Sequence, residues 1–200
     1  MAEPHRQGVT QNPPLLLGLL GPTGQSERRV VDTLVSTHGF RDYDLGAPAR
    51  AALETLDPML SSDRSLAELV ATAGWDGAAA HRIHGPEVTR LLEQMRFTLP
   101  GSLLPASVWV AAVQASVAAG ASMLGSAPVV VHDVRSPGEV AWLLEQGGAL
   151  WQASGRPRPD AECVLSTGVS DVALGRRVAR ELATVQSRRR LVSVGTREEA

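Results

Sequence analysis

Apolar positions in this chain form two kinds of run, and the two kinds take turns along the sequence. Short unbroken runs occupy residues 15–20, 128–133 and 149–151, and Gly21, Pro22, Gly147 and Gly148 bound two of them. Runs of this length are strands. With no polar alternation they belong in a parallel sheet covered on both faces. The strongest is Pro128-Val129-Val130-Val131-His132-Asp133, a β-branched run that ends in an acid. Residues 39–44 read as a turn and short strand, and residues 191–194 as a last strand.

Between these runs the apolar residues recur at helical spacing. Val30, Val31, Leu34 and Val35 form one face, and residues 48–56 another that Asp57-Pro58 stops, because proline disfavours helical geometry in its predecessor. Leu66, Leu69, Val70 and Ala73 follow the capping-box pair Ser65 and Glu68 and run to Gly74, a residue suited to a helix end. Val88, Leu91, Leu92 and Met95 make a further face. Residues 106–124, long and alanine-rich, read as a buried helix. Ser136, Pro137 and Glu139 supply an N-cap, a first-turn proline and a capping-box acid for the next helix. Residues 171–185 predict a last one. Strands alternating with helices predict an α/β fold of three layers around a mainly parallel central sheet. It forms one domain over residues 14–200, after a loose extension over 1–13.

The first strand leads into Gly21-Pro22-Thr23-Gly24-Gln25-Ser26-Glu27-Arg28-Arg29 and then a helix. Strand, glycine loop and helix are the layout of a P-loop, whose signature is G-x-x-x-x-G-K-[ST]. Gly21 matches the first glycine, but Ser26 stands at the second, Glu27 at the lysine and Arg28 at the hydroxyl. The lysine normally neutralises phosphate charge while backbone N–H groups cradle the oxygens. A unit-charge pair about 4 Å apart is worth roughly 4 kcal/mol at an effective dielectric of 20, so reversing the sign is a large penalty. Two readings stand side by side. Arg28 and Arg29 turn inward and rebuild an anion site, or Ser26 and Glu27 are the N-cap and first-turn acid of an ordinary helix.

Composition sharpens this. All 19 basic residues are arginine, so no lysine elsewhere replaces the missing one, and lysine Schiff-base chemistry is excluded. A net charge of −2 gives no general attraction for nucleic acid or anionic membrane. The first apolar run is too short to span a bilayer, and the residues before it make a poor signal peptide. Cys163 is the single cysteine, which excludes an intramolecular disulfide framework. A cytoplasmic protein is the expectation.

Asp133-Val134-Arg135 ends the best strand, where open α/β sheets place their sites. Asp133 is a candidate Mg²⁺ holder through water and Arg135 a candidate phosphate fork, against a plain loop ion pair. His81 and His84 lack a partner at metal spacing and read as surface residues. Trp75 and Trp109 read as core, and Arg188-Arg189-Arg190 as a solvated cluster.

Taken in order, these pieces resemble the deoxynucleoside monophosphate kinase family of phages and bacteria. The likeness runs over residues 16–151: the P-loop strand, His38-Gly39-Phe40, Pro48-Ala49-Arg50-Ala51-Ala52-Leu53 with Leu56-Asp57-Pro58, Gly74-Trp75-Asp76, Pro86-Glu87-Val88-Thr89-Arg90-Leu91-Leu92, Val108-Trp109, Val131 to Arg135, Glu139 and Gly147-Gly148. The resemblance implies a P-loop NTPase-like fold and transfer of the γ-phosphoryl of ATP, with Mg²⁺, to a deoxynucleoside 5′-monophosphate. It implies a triphosphate site at Gly21, Thr23, Gly24, Ser26, Arg28 and Arg29. Acceptor residues would be Arg50, Trp75, Arg90 and Arg135, with Asp133, Arg135 and Arg28 at the chemistry and Asp133 at the metal. The departures fall on phosphate handling. Glu27 replaces the lysine, Ala78, Ala79 and Ala80 stand where a lysine is usual, and Gly101 stands where the substrate arginine is expected. The expectation is a divergent kinase-like protein with weak or lost transfer, or a non-catalytic pseudokinase that binds a nucleotide, a protein partner or a second copy of itself.

Overall fold

Why the chain alternates becomes clear from its order of elements. β1 (Leu16–Leu20), α1 (Gln25–His38), β2 (Arg41–Asp44) and α2 (Ala47–Leu56) come first, then a hairpin of β3 (Met59–Ser61) and β4 (Arg64–Ser65). α3 (Leu66–Ala80), α4 (Gly85–Glu93), a π-helical segment (Gln94–Thr98) and α5 (Val108–Leu124) follow. β5 (Val129–Val134), α6 (Pro137–Glu145), β6 (Ala149–Gln152), β7 (Cys163–Val164) and α7 (Asp171–Glu198) complete it. This is a computed structural model, and it describes residues 14–21, 24–124 and 127–198.

Five strands pair in the order β2-β5-β1-β6-β7, every neighbour parallel. The first apolar run and the valine strand are neighbours, with Leu16 opposite Val129 and Gly18 opposite Val131. Alternation of side chains assigns the two faces. Leu17, Leu19 and Val130 pack with Val30, Val31 and Leu34 of α1 and with Leu174, Val178 and Leu182 of α7. Leu20, Val129 and Val131 pack with Val113 of α5 and with Val140, Trp142 and Leu143 of α6. Helix, sheet and helix are therefore the three layers. Gly18 permits the second face to close, because a Cβ there would lie 2.6 Å from Leu143 Cδ1 and 2.8 Å from Leu150 Cδ2.

A third apolar cluster lies apart from the sheet. Ala49 and Leu53 of α2, Leu66, Leu69 and Ala78 of α3, Val88 of α4 and Met95 form it, with Trp75 and Trp109 partly buried against it. Both expected capping boxes are present, Ser65 with Glu68 and Ser136 with Glu139. Gly74 (φ 67°, ψ 172°) breaks α3, and the chain resumes helical geometry after it. This helical lobe faces the carboxyl ends of β2 and β5, whose Asp44 and Asp133 share a cleft with it.

Two expectations are corrected. Residues 191–194 are not a strand but part of α7, since no proline or glycine separates them from the preceding helical turns. The helix at 108–124 is not buried all round: Val113 is its only fully buried residue among 108–120, with Trp109, Val110 and Val117 partly buried. Its alanines and serines carry little apolar area, so leaving them in water costs little. No helix among the described residues is long and apolar enough to cross a membrane.

Candidate functional site: a charge-balanced cleft at the sheet rim

The position of the site follows from the connections. α1 carries the chain from β1 past β5 to β2, whereas α6 carries it from β5 past β1 to β6. Connections that leave adjacent strands in opposite directions open a crevice at their carboxyl ends. Gly21 (φ 117°) lies at the end of β1 and donates its N–H to Val134 O at 2.9 Å. At the end of β5 the backbone kinks: Asp133 has φ 63°, and the β1–β5 register shifts between Gly18 and Leu20. A left-handed, buried, non-glycine residue costs of order 1–3 kcal/mol and persists only where its surroundings fix it.

Three groups fix Asp133. Glu27 Oε1 accepts its N–H at 2.9 Å. Arg96 donates to both its Oδ2 and its carbonyl oxygen. Arg135 Nε donates to its Oδ1 at 2.6 Å. Arg96 is only 6% exposed and also reaches Glu139 Oε1 at 3.1 Å. Glu139 uses its other oxygen on the backbone N–H groups of Arg135 (2.7 Å) and Ser136 (2.9 Å), so one acid caps α6 and anchors the buried arginine.

Glu27 is neither an outward first-turn acid nor a partner of Ser26 in capping. Gly24 is the N-cap of α1, in extended geometry and with no side-chain cap, which corrects the reading of Ser26 as N-cap. Ser26 Oγ instead accepts from Thr167 Oγ1 at 2.8 Å. Glu27 turns into the rim and is 4% exposed, and its Oε2 is buried without a partner. Burial pushes its carboxyl from 4.5 up to about 7, the Asp133 N–H opposing and the Asp133 and Asp44 charges adding to the rise.

Above this floor opens a cleft of about 480 Å³. Arg28, Arg50, Arg96 and Arg135 line it, and so do Asp44, Asp76, Glu93 and Asp133, with Trp75, Thr89 and Leu92 along the wall. Four cations meet four acids. Arg28 Nη2 pairs with Asp76 Oδ2 at 2.8 Å, Arg135 Nη1 with Glu93 Oε1 at 3.1 Å, and Arg50 with Asp44. Gly46 gives its N–H to Asp44 Oδ1 at 2.7 Å, and a Cβ there would stand 2.7 Å from both Arg50 Nη1 and Asp133 Oδ2. The absence of a side chain at 46 is what lets these charges converge.

Of the site residues expected from sequence, the structure brings Arg28, Arg50, Trp75, Asp133 and Arg135 to this cleft. Trp75 is half-buried against the lobe core, and its indole N–H donates to Glu54 at 2.5 Å. Three expected residues lie elsewhere: Ser26, which faces Thr167, Arg29 and Arg90. Arg29 clamps the loop before α7, donating to Thr167 O, to Val169 O at 2.8 Å and to Asp171 at 2.6 Å, because α1 turns position 29 away from the rim. Arg90 pairs with Glu87 and Gln94 on the exposed side of α4. Gly21 and Gly24 flank the loop as expected, while Thr23 lies outside the described residues.

Arg96, Asp44, Asp76, Glu93 and Glu139 were not legible as site residues. Arg96 had one signal, its position eight residues after Val88 and four after Leu92, on the face that points inward. The π-helical turn, with Leu99 N–H bonded to Gln94 O at 2.9 Å, carries it there; such turns recur at functional sites. The sequence matches no protein-family model and no curated protein.

Proposed function

We propose that this protein is a divergent deoxynucleoside monophosphate kinase-like protein whose arginine-lined cleft holds the phosphate of a (deoxy)nucleoside 5′-monophosphate, and whose ATP-dependent phosphoryl transfer is weak or lost. The observation that carries the reading is Glu27: a buried acid with no positive charge to offer, locked to Asp133 N–H, in the sequence position of the P-loop lysine. Phosphoryl transfer is almost entirely positioning and electrostatics, and here the groups that would meet a triphosphate are acids or already committed.

Mg²⁺-triphosphate does not fit these residues. Both Asp133 carboxylate oxygens take an arginine, Arg28 replaces the hydroxyl that would ligand the metal, and Arg29 is spent on the α7 loop. No cluster of three or more acidic, histidine or cysteine side chains suited to a metal occurs among the described residues. The acceptor side fares better. Arg28, Arg50 and Arg135 line one concave space with Trp75 on its wall, a combination suited to a phosphate and a flat, half-apolar group. Each arginine is ion-paired there, but Arg28 and Arg135 are paired with exposed acids that a ligand can displace.

The fold supports this reading by its parallel order and its switch point between β1 and β5, and the resemblance over residues 16–151 supplies the nucleotide. Calorimetric titration tests it, with each deoxynucleoside monophosphate and separately with Mg-ATP. The expected result is heat from at least one monophosphate and none from Mg-ATP. Tight Mg-ATP binding, or no binding of any monophosphate, defeats it.

A further inference from the structure

We propose that Asp76 and Glu93 are specificity-determining internal anions, which hold Arg28 and Arg135 until a doubly charged phosphate monoester displaces both. This rests on the cleft being a phosphate site, as argued above.

The four cleft arginines are not equivalent. Arg96 is buried and shared between Asp133 and Glu139, so releasing it would strand two buried carboxylates. Arg50 is three-quarters buried against Asp44, which Gly46 N–H also holds. Arg28 and Arg135 differ. Each reaches across the cleft to an acid of the helical lobe, Asp76 on α3 or Glu93 at the end of α4, and those acids are 77% and 50% exposed. Arg135 keeps its Nε on buried Asp133 at 2.6 Å, so its Nη1 contact with Glu93 is the part open to exchange. Exposed pairs of this kind are weak, so they are the two contacts a ligand can exchange.

The exchange selects by charge. A singly charged anion that replaces one carboxylate on an arginine gains about what it breaks, and leaves the released carboxylate beside it on the lip of the cleft. A phosphate monoester carries nearly two charges and three acceptor oxygens near neutral pH. It offers stronger charge-assisted bonds to both guanidinium groups than the carboxylates it displaces. Asp76 and Glu93 thus set a threshold: every anion is penalised, and only the doubly charged one clears it. The same two pairs tie α1 to α3 and the β5 loop to α4, while buried Arg96 holds the lobe on the rim throughout the exchange.

The test titrates the full chain with a deoxynucleoside 5′-monophosphate and with its 5′-methyl ester, which keeps the base and sugar but has one charge. Wild type is expected to bind the monophosphate and to give no measurable heat with the ester. Asp76→Asn with Glu93→Gln is expected to bind the monophosphate about tenfold tighter, the effect of removing two exposed pairs of ordinary strength, and to bind the ester measurably. Either single change gives a smaller gain of the same sign, which serves if the double variant folds poorly. Asp63→Asn, in the β3–β4 turn, is the charge control and is expected to change nothing. Should the double variant bind the monophosphate no tighter than wild type, or Asp63→Asn do as much, the two acids are not competitors; the cleft reading would stand. Should no protein bind either ligand, both readings fall together.

Discussion

Replacing Glu27 by glutamine removes a proton-binding site whose behaviour the fold has altered, and the consequence is worked from its surroundings. In the unfolded chain the carboxyl ionises near 4.5; in the folded protein burial holds the proton until about 7. Between those values the folded state binds more protons than the unfolded one, so stability falls as pH rises through the window. The stabilisation is complete below 4.5 and lost above 7. At about 1.4 kcal/mol per pH unit, the interval amounts to about 3 kcal/mol. Glu27→Gln keeps an oxygen to accept the Asp133 N–H and cannot ionise. Its amide nitrogen, set where Oε2 lies buried without a partner, adds a cost that does not change with pH. Urea unfolding of both proteins at pH 5, 6, 7 and 8 reads the slope: the variant should gain on wild type by about 2.5 kcal/mol across the series, the rest of the change lying below pH 5. A difference that stays flat would mean that Glu27 ionises as an exposed glutamate does, and that the inward, buried placement is wrong.

Other outcomes follow from the same residues. Arg96→Met removes a buried cation from between Asp133 and Glu139 and should cost about 3–5 kcal/mol in urea unfolding, with Glu139→Gln in the same chain returning part of it. Glu27→Lys combined with Ser26→Gly and Arg28→Ser should raise Mg-ATP affinity about tenfold, roughly one charge-assisted contact, measured by calorimetry. Glu27→Lys alone should gain less, because Arg28 would still stand at the hydroxyl position. Phosphoryl transfer by the triple variant should stay poor, since Gly101 and Ala78–Ala80 add no phosphate-binding charge.

How much of this was legible in the sequence depended on the kind of signal. The valine run at 129–131 and the leucine run at 15–20 announced themselves because a strand covered on both faces admits only apolar residues. Ser65 with Glu68 and Ser136 with Glu139 were legible because capping needs particular atoms at a fixed spacing. The helix at 108–124 was legible as a helix but not in its exposure, since alanine is tolerated on either side of the surface. Residues 191–194 misled because a short apolar run carries no helix-or-strand signature of its own. In the cleft, Arg28, Arg50, Asp133 and Arg135 were found through loop position and family resemblance. Arg96 was hidden because a π-helical turn, which has no simple sequence code, aims it inward. Asp76 and Glu93 were hidden because their role is to oppose arginines distant in sequence, a matter of tertiary approach. The inward turn of Glu27 was invisible for the same reason: its partner is a backbone N–H 106 residues away.

In the proposed reading, a kinase-like cleft keeps its monophosphate side while Glu27 has closed its triphosphate side. The most direct test is a coupled phosphotransfer assay of wild-type protein with Mg-ATP and dAMP, dGMP, dCMP or dTMP, run beside calorimetry on the same samples. Monophosphate binding with no detectable turnover is expected. Turnover within the ordinary kinase range of about 1–100 s⁻¹ for any of the four would contradict it, and would mean that the arginines of the cleft have taken over the work of the missing lysine.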